Sequence, residues 1–223
     1  MPNCIDVSLI QPAAKGYPPL AWQSELGQIA TLENVRLHAC TGEFSTRDVE
    51  KELHRRTAVK IWSGHGAPNG LLMPNGLIRR AQWLATHAKV GLPRLVVIAA
   101  CYSQARDPLT LRSVTEEISR AGMNVIGYIA EAEDASAVAF NVALISALAV
   151  GAPVTAAFDV AMEEITGSKS AEQVFYTPAA LNGYADVVLR LEALEDGQKR
   201  TDKNIEKIMT KLGIPIEAQP AAC

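Results

Sequence analysis

Hydrophobic and polar positions follow two regimes along the chain. Short apolar runs occupy residues 5–10, 35–39, 59–62, 95–99 and 124–129. Runs of this length bounded by turn residues read as strands of a buried sheet. Between them lie longer stretches with helical spacing: residues 21–32, from Ser45 to about Arg56, 77–90, 110–121, 135–150, and from Pro153 to about Ile165. In 77–90, Leu77, Ala81, Leu84, Ala85 and Ala88 share one face. Ser45 three residues before Asp48 predicts a capping box. Gly122 and Gly151 close helices, and Pro153 suits a first turn. Residues 135–150 are apolar nearly all round, which predicts a buried helix. Pro-Asn-Gly at 68–70 and again at 74–76 brackets Leu71-Leu72-Met73, predicting a small hairpin or flap. Strands spaced by helices imply βαβ units: an α/β fold with a mostly parallel central sheet flanked by helices.

After Gly167 the pattern weakens. Val174-Phe175-Tyr176 reads as a short terminal strand. Leu191, Leu194, Gln198, Thr201, Ile205, Ile208 and Leu212 form a heptad-like seam, which reads as an amphipathic helix that packs on its own domain or docks a partner. The expected division is a main domain at 1–188 and a helical extension at 189–223, with a frayed end from Pro215.

The chain has 223 residues, 48% hydrophobic and 20% charged, with a net charge of -3. A chain of this size buries roughly 70–75% of its unfolded surface, so it needs no metal or disulfide to fold. The charge gives no electrostatic case for nucleic acid or an anionic membrane. Residues 1–10 do not read as a signal peptide, since Asp6 interrupts the first apolar run. Residues 135–150 are too short and too polar, with Ser136, Asn141 and Ser146, to span a membrane. Cys4, Cys40, Cys101 and Cys223 include no C-x-x-C, so reduced thiols in a cytoplasmic protein are expected, with no metal site.

Two segments carry candidate chemistry. Ser63-Gly64-His65-Gly66 follows the strand at 59–62, and Ala99-Ala100-Cys101-Tyr102-Ser103 follows the strand at 95–98. Neighbouring parallel strands deliver both side chains to the sheet edge where α/β proteins place ligands. There an imidazole can take the thiol proton and later protonate a leaving amine. Glycine beside the imidazole admits a substrate backbone. The N–H groups of Gly66 and Cys101 can face a developing oxyanion. Taken singly, each residue reads as packing or a turn; their joint placement favours function. His38 and Cys40 share a strand face and read as packing. His54 reads as part of a solvated basic face with Arg55 and Arg56. His87 reads as a cation suited to its helix end. Trp22, Trp62 and Trp83 read as core or core-edge residues.

These segments, with Gly122-Met123-Asn124-Val125-Ile126-Gly127, Glu133-Asp134, Ala137, Phe140, Leu148, Gly151 and Pro153, resemble the caspase-like (clan CD) cysteine peptidases. The closer likeness is to their CHAT subgroup, and it covers roughly residues 5 to 165. The resemblance implies a three-layer sandwich, His65 as general base and acid, and Cys101 as a nucleophile that forms a thioester. It places a specificity pocket in the loops after the first strand, the cysteine and the fifth strand, which hold Tyr17, Ser103, Gln104, Asp107, Glu131 and Glu133. Acidic groups there imply a basic P1 side chain. Two acids have plainer readings: Asp107 as the start of a turn before Pro108, and Asp134 as the cap of a helix beginning at Ala135. Caspases carry Gln-Ala-Cys where this chain has Ala-Ala-Cys-Tyr-Ser, so cleavage after aspartate does not follow. The implied function is a cofactor-free endopeptidase acting on proteins or peptides in bacterial stress or antiphage defence. A separate activator or scaffold would control it through the C-terminal segment. The alternative is a catalytically inactive binding module of the same fold. A nucleotide-binding enzyme is disfavoured, because no G-x-G-x-x-G or Walker loop follows the first strand.

Overall fold

In the computed structural model, which describes residues 4–18, 20, 22–42, 44–67, 70–103, 113–130 and 133–180, the five apolar runs become five parallel strands. The chain runs β1 (Ile5–Pro12), α1 (Trp22–Ala30), β2 (Val35–Gly42), α2 (Thr46–His54), β3 (Val59–Ser63), β4 (Gly66–Ala67), β5 (Gly70–Leu72), β6 (Ile78–Arg79), α3 (Ala81–Val90), β7 (Leu95–Ala99), α4 (Val114–Arg120), β8 (Asn124–Tyr128), α5 (Asp134–Ala149), α6 (Val154–Glu164) and β9 (Val174–Thr177). The main sheet is six-stranded, in the order β2-β1-β3-β7-β8-β9. Only β9, the predicted terminal strand, runs antiparallel among these six. The expected helical extension at 189–223, and with it Cys223, lies outside the described residues.

Strand alternation sorts the core into two layers. Val7, Leu9, Ile61, Val97 and Ile126 pack with Ile29 of α1, Phe140 and Leu144 of α5, and Ala157 of α6. Ile10, Trp62, Val96, Ile98 and Val125 pack with Val49 and Leu53 of α2, Leu84 of α3 and Ile118 of α4. The sheet is thus a middle layer between two helical ones; β7 is apolar throughout and β3 apolar but for Lys60 and Ser63, because both their faces are covered. α5 lies against α1 and α6 as well as the sheet, which accounts for its nearly uniform apolar surface.

Local signals fixed several boundaries and missed others. The Ser45 capping box forms as predicted: the Ser45 N–H donates to Asp48 Oδ2 at 2.9 Å, and the Asp48 N–H donates to Ser45 Oγ at 3.3 Å. α2 ends at His54 with Arg55 as its cap, near the expected end at about Arg56, and the Lys60 ammonium donates to the Arg55 carbonyl at 2.6 Å. The helix expected from Leu77 begins at Ala81. Residues 77–79 instead complete a hairpin, with Met73 N–H donating to the Leu77 carbonyl at 2.8 Å and β6 pairing with β5. This gives the predicted flap three short antiparallel strands. α5 begins one residue early, so its cap is Glu133 and not Asp134. β1 runs two residues past Ile10, pairing Gln11 with Thr41 and Pro12 with Gly42. That extension carries Gln11 to the sheet edge described next.

Candidate functional site

β2 lies on one side of β1 and β3 on the other, so the strand order reverses between β1 and β3. At such a reversal the connections leave in opposite directions and open a crevice beyond the carboxyl ends of the strands. His65 lies at the mouth of this crevice. Ser63 pairs with Ala99 across β3 and β7, and the Gly64 N–H donates to the Ala99 carbonyl at 3.1 Å. His65 and Cys101 therefore each lie two residues beyond the same rung of neighbouring strands. Gly66 is packed directly on the second segment. A Cβ there would collide with the Cys101 carbonyl oxygen and lie 3.1 Å from Ala100 Cβ. Only glycine permits this approach without displacing backbone.

The imidazole of His65 is anchored. Its Nε2 is 2.9 Å from the Pro18 carbonyl oxygen. A carbonyl only accepts, so Nε2 carries the proton and donates it, which leaves Nδ1 of the neutral ring as the basic nitrogen. The Tyr17 ring lies over the imidazole, with centroids 5.1 Å apart at 39°. Tyr17 itself is half exposed. The segment after β1 thus folds back over His65 and leaves a cleft of about 110 Å³, lined by Pro12, Ala13, Ala14, Tyr17, Pro18, Leu20, Ser63 and His65.

Cys101 is a free, partly buried thiol. The backbone turns sharply after it: Tyr102 is left-handed, with φ of 59°. For a residue with a side chain this conformation costs about 1–2 kcal/mol. The Tyr102 N–H donates to the Ala130 carbonyl at 3.2 Å, which ties the turn to the end of β8. Cys40 is a contrasting thiol. Burial, with Glu52 and Asp48 nearby, pushes its pKa from 9.0 to about 11 despite Arg55, so it stays protonated and unreactive near neutral pH.

The expected specificity residues are divided. Tyr17 lines the cleft. Ser103 does not: it is fully buried, and its Oγ accepts the Tyr128 N–H at 2.8 Å. Its hydroxyl brackets the ends of β7 and β8, and a Cβ on Gly127 would lie 2.7 Å from that oxygen. Glu133 is exposed at the start of α5, where it accepts the Ser136 hydroxyl at 3.1 Å. Gln104, Asp107 and Glu131 lie outside the described residues.

Five elements bring together a polar cluster that sequence reasoning missed. Glu25 of α1 is fully buried beside the edge of the sheet. It accepts from Gln11 Nε2 of β1 at 2.7 Å and from Asn141 Nδ2 of α5 at 2.7 Å, and it takes the Ser63 hydroxyl of β3. Burial raises its pKa; these three hydrogen bonds oppose the rise and the Asp134 charge adds to it. Tyr128 of β8 is buried within reach of the same charge. Its pKa is pushed well up by burial, then by Glu25 and Cys101. A signal for Glu25 was present: it falls on the same stripe of α1 as Leu26 and Ile29, where a carboxylate is out of place. Asn141, in the middle of an apolar helix, was a second one.

The remaining histidines are structural. His38 contacts Asp6 Oδ1 at 3.2 Å. His54 Nε2 and His87 Nδ1 are 2.8 Å apart and share one hydrogen bond between α2 and α3. Burial, with His54 and Arg79, draws the His87 pKa down against the pull of Glu50. His87 does stand in the last turn of α3, and the downward shift works against its charged form there. Trp62 is core and Trp83 packs at the core's edge, while the Trp22 side chain lies outside the described residues. Among the described residues, no group of three or more His, Cys, Asp or Glu could hold a metal ion. No described helix is long and apolar enough to cross a membrane. The sequence matches no family model and no curated protein.

Proposed function

We propose that this chain is a cysteine endopeptidase of the caspase-like type, with Cys101 as nucleophile and His65 as general base and acid. One observation carries the reading. His65 is held by the Pro18 carbonyl through Nε2, at the end of the strand next to the one that delivers Cys101. A fixed tautomer with a free Nδ1 is what a base serving a thiol requires.

The chemistry follows from these groups. His65 Nδ1 takes the Cys101 proton as Sγ attacks the carbonyl carbon of the scissile peptide bond. The oxygen of the tetrahedral intermediate becomes negative and faces the N–H groups of Gly66 and Cys101. The intermediate collapses by breaking the C–N bond, and His65 returns its proton to the leaving amine. Water, deprotonated by His65, then attacks the thioester. The acid product leaves and the thiol is restored. The Pro18 carbonyl stabilises the imidazolium formed in each half-reaction. On the family resemblance, the physiological substrate is a protein in a bacterial stress or antiphage pathway, and a separate activator or scaffold governs access to it.

The test is hydrolysis of fluorogenic peptides varied at P1 by the wild type, Cys101→Ala and His65→Ala. Activity lost in both variants supports the dyad. Activity that survives in Cys101→Ala refutes it. No cleavage, together with a Cys101 thiol no more reactive than a free cysteine, would favour the non-catalytic binding module instead.

A further inference from the structure

A buried carboxylate needs compensation, and in proteins a cation usually supplies it. Glu25 has none: no ion pair reaches it among the described residues, and the charge that acts on it is a second carboxylate, Asp134. Gln11, Asn141 and Ser63 satisfy its oxygens with neutral donors only. Two more polar atoms in the cluster, Asn141 Oδ1 and the Tyr128 hydroxyl, have no hydrogen-bond partner although both residues are fully buried. Unpartnered buried polar atoms are rare in native proteins and each needs a cause. Here they accompany a buried carboxyl group that has no cation beside it among the described residues, and one of them is a carbonyl-type acceptor that lacks a donor.

Ser63 joins this cluster to the cleft. Its hydroxyl bonds Glu25, and its side chain forms part of the cleft wall beside His65. Much of the remaining wall is apolar, built from Pro12, Ala13, Ala14 and Tyr17. Apolar walls with a carboxyl group held just behind Ser63 suit a long aliphatic stem with a cationic head, whose charge would favour the ionised carboxylate.

We infer that Glu25 determines the specificity of this cleft, pairing with the guanidinium or ammonium head of an arginine or lysine at P1 of the substrate. The identity of that ligand as a P1 side chain rests on the peptidase reading; the preference for a cation rests on the Glu25 cluster alone. Entry requires the Ser63 side chain to rotate away from Glu25. A guanidinium then reaches both Glu25 oxygens and Asn141 Oδ1, the acceptor that now lacks a donor. The selecting charge sits in α1 beneath the sheet edge, apart from the loop acids that the sequence pointed to.

The experiment compares kcat/KM for peptides with Arg, Lys, Leu or Asp at P1, in the wild type and Glu25→Gln. It adds calorimetric titration of agmatine, a bare guanidinium on an alkyl stem, into Cys101→Ala with and without Glu25→Gln. Losing one partner of a buried charge pair costs on the order of a hundredfold. The Arg-to-Leu ratio should be of that order in the wild type and fall close to one in Glu25→Gln. The ratio is taken within one protein and does not depend on the folded fraction. Should Glu25→Gln not fold, Glu25→Asp keeps the charge with a shorter reach and should shift preference from Lys toward Arg. A wild type that prefers Leu or Asp, a ratio unchanged in Glu25→Gln, or an Arg-to-Lys ratio unmoved in Glu25→Asp overturns the inference and leaves the peptidase reading intact. Agmatine bound through Glu25 with no Cys101-dependent cleavage keeps the cation site and overturns the peptidase. Neither binding nor cleavage overturns both.

Discussion

Replacing Lys60 with methionine should change how stability depends on pH, by an amount the structure sets. Lys60 is only 1% exposed. Its ammonium donates to the carbonyls of Glu52 at 3.2 Å and Arg55 at 2.6 Å, and to Thr57 Oγ1 at 3.3 Å. It caps the end of α2, where the last carbonyls have no partner within the helix. Burial still draws its pKa from 10.5 to about 8; Glu52 opposes the change and Arg55 reinforces it. Between those two values the unfolded chain holds the lysine proton and the folded chain does not. Stability therefore rises as pH increases from about 8 to 10.5 and is lost as pH falls back. At about 1.4 kcal/mol per pH unit, the gap is worth about 3 kcal/mol. Cys40 and Tyr128 act in the opposite sense at alkaline pH, because their folded pKa values lie above their unfolded ones. They are present in both proteins and cancel in the comparison. Urea unfolding of the wild type and Lys60→Met should be followed from pH 7 to 10.5. The wild type should gain about 3 kcal/mol relative to the variant over this range. A difference that stays flat, or that narrows in the other direction, refutes the assignment of a buried ammonium with a depressed pKa.

Two further outcomes concern the site. Gly66→Ala drives a methyl into the Cys101 carbonyl and misplaces the proposed oxyanion donors, so kcat/KM should fall on the order of a hundredfold while the far-UV circular dichroism is kept. Ser103→Ala removes the acceptor of the buried Tyr128 N–H and should cost about 1–3 kcal/mol in chemical denaturation, with the P1 preference unchanged. An altered P1 preference would return Ser103 to the pocket.

What was legible in the sequence was what depends on local pattern. β7, and β3 apart from Lys60 and Ser63, showed themselves as apolar runs because they are covered on both faces, and the α2 start because Ser45 and Asp48 cap it within one turn. Residues 77–79 misled because their helical spacing is real. The competing bond, Met73 N–H to the Leu77 carbonyl, belongs to a hairpin in which β6 pairs with β5, and that pairing leaves no mark on the spacing within 77–90. The cap at the end of α2 was not legible for a similar reason. Lys60 caps it from the following strand, and no helix-end signal in the sequence marks a lysine that arrives from there.

The site divides along the same line. His65 and Cys101 could be found because each sits in a small motif at the end of a readable strand. The group that orients His65 could not, because a backbone carbonyl has no residue signature. Substitution at position 18 should leave the tautomer of His65 unchanged so long as the loop keeps its path, since every residue there supplies the same oxygen. Glu25 is the reverse case. Its identity is visible but its role depends on Gln11, Ser63, Asn141 and Tyr128 meeting it from four other elements. The proposed nucleophile and base therefore depend on the path of one loop, while the proposed selectivity depends on a side chain in α1. On that proposal, mutation of Glu25 would alter substrate preference without touching the segments that carry His65 and Cys101.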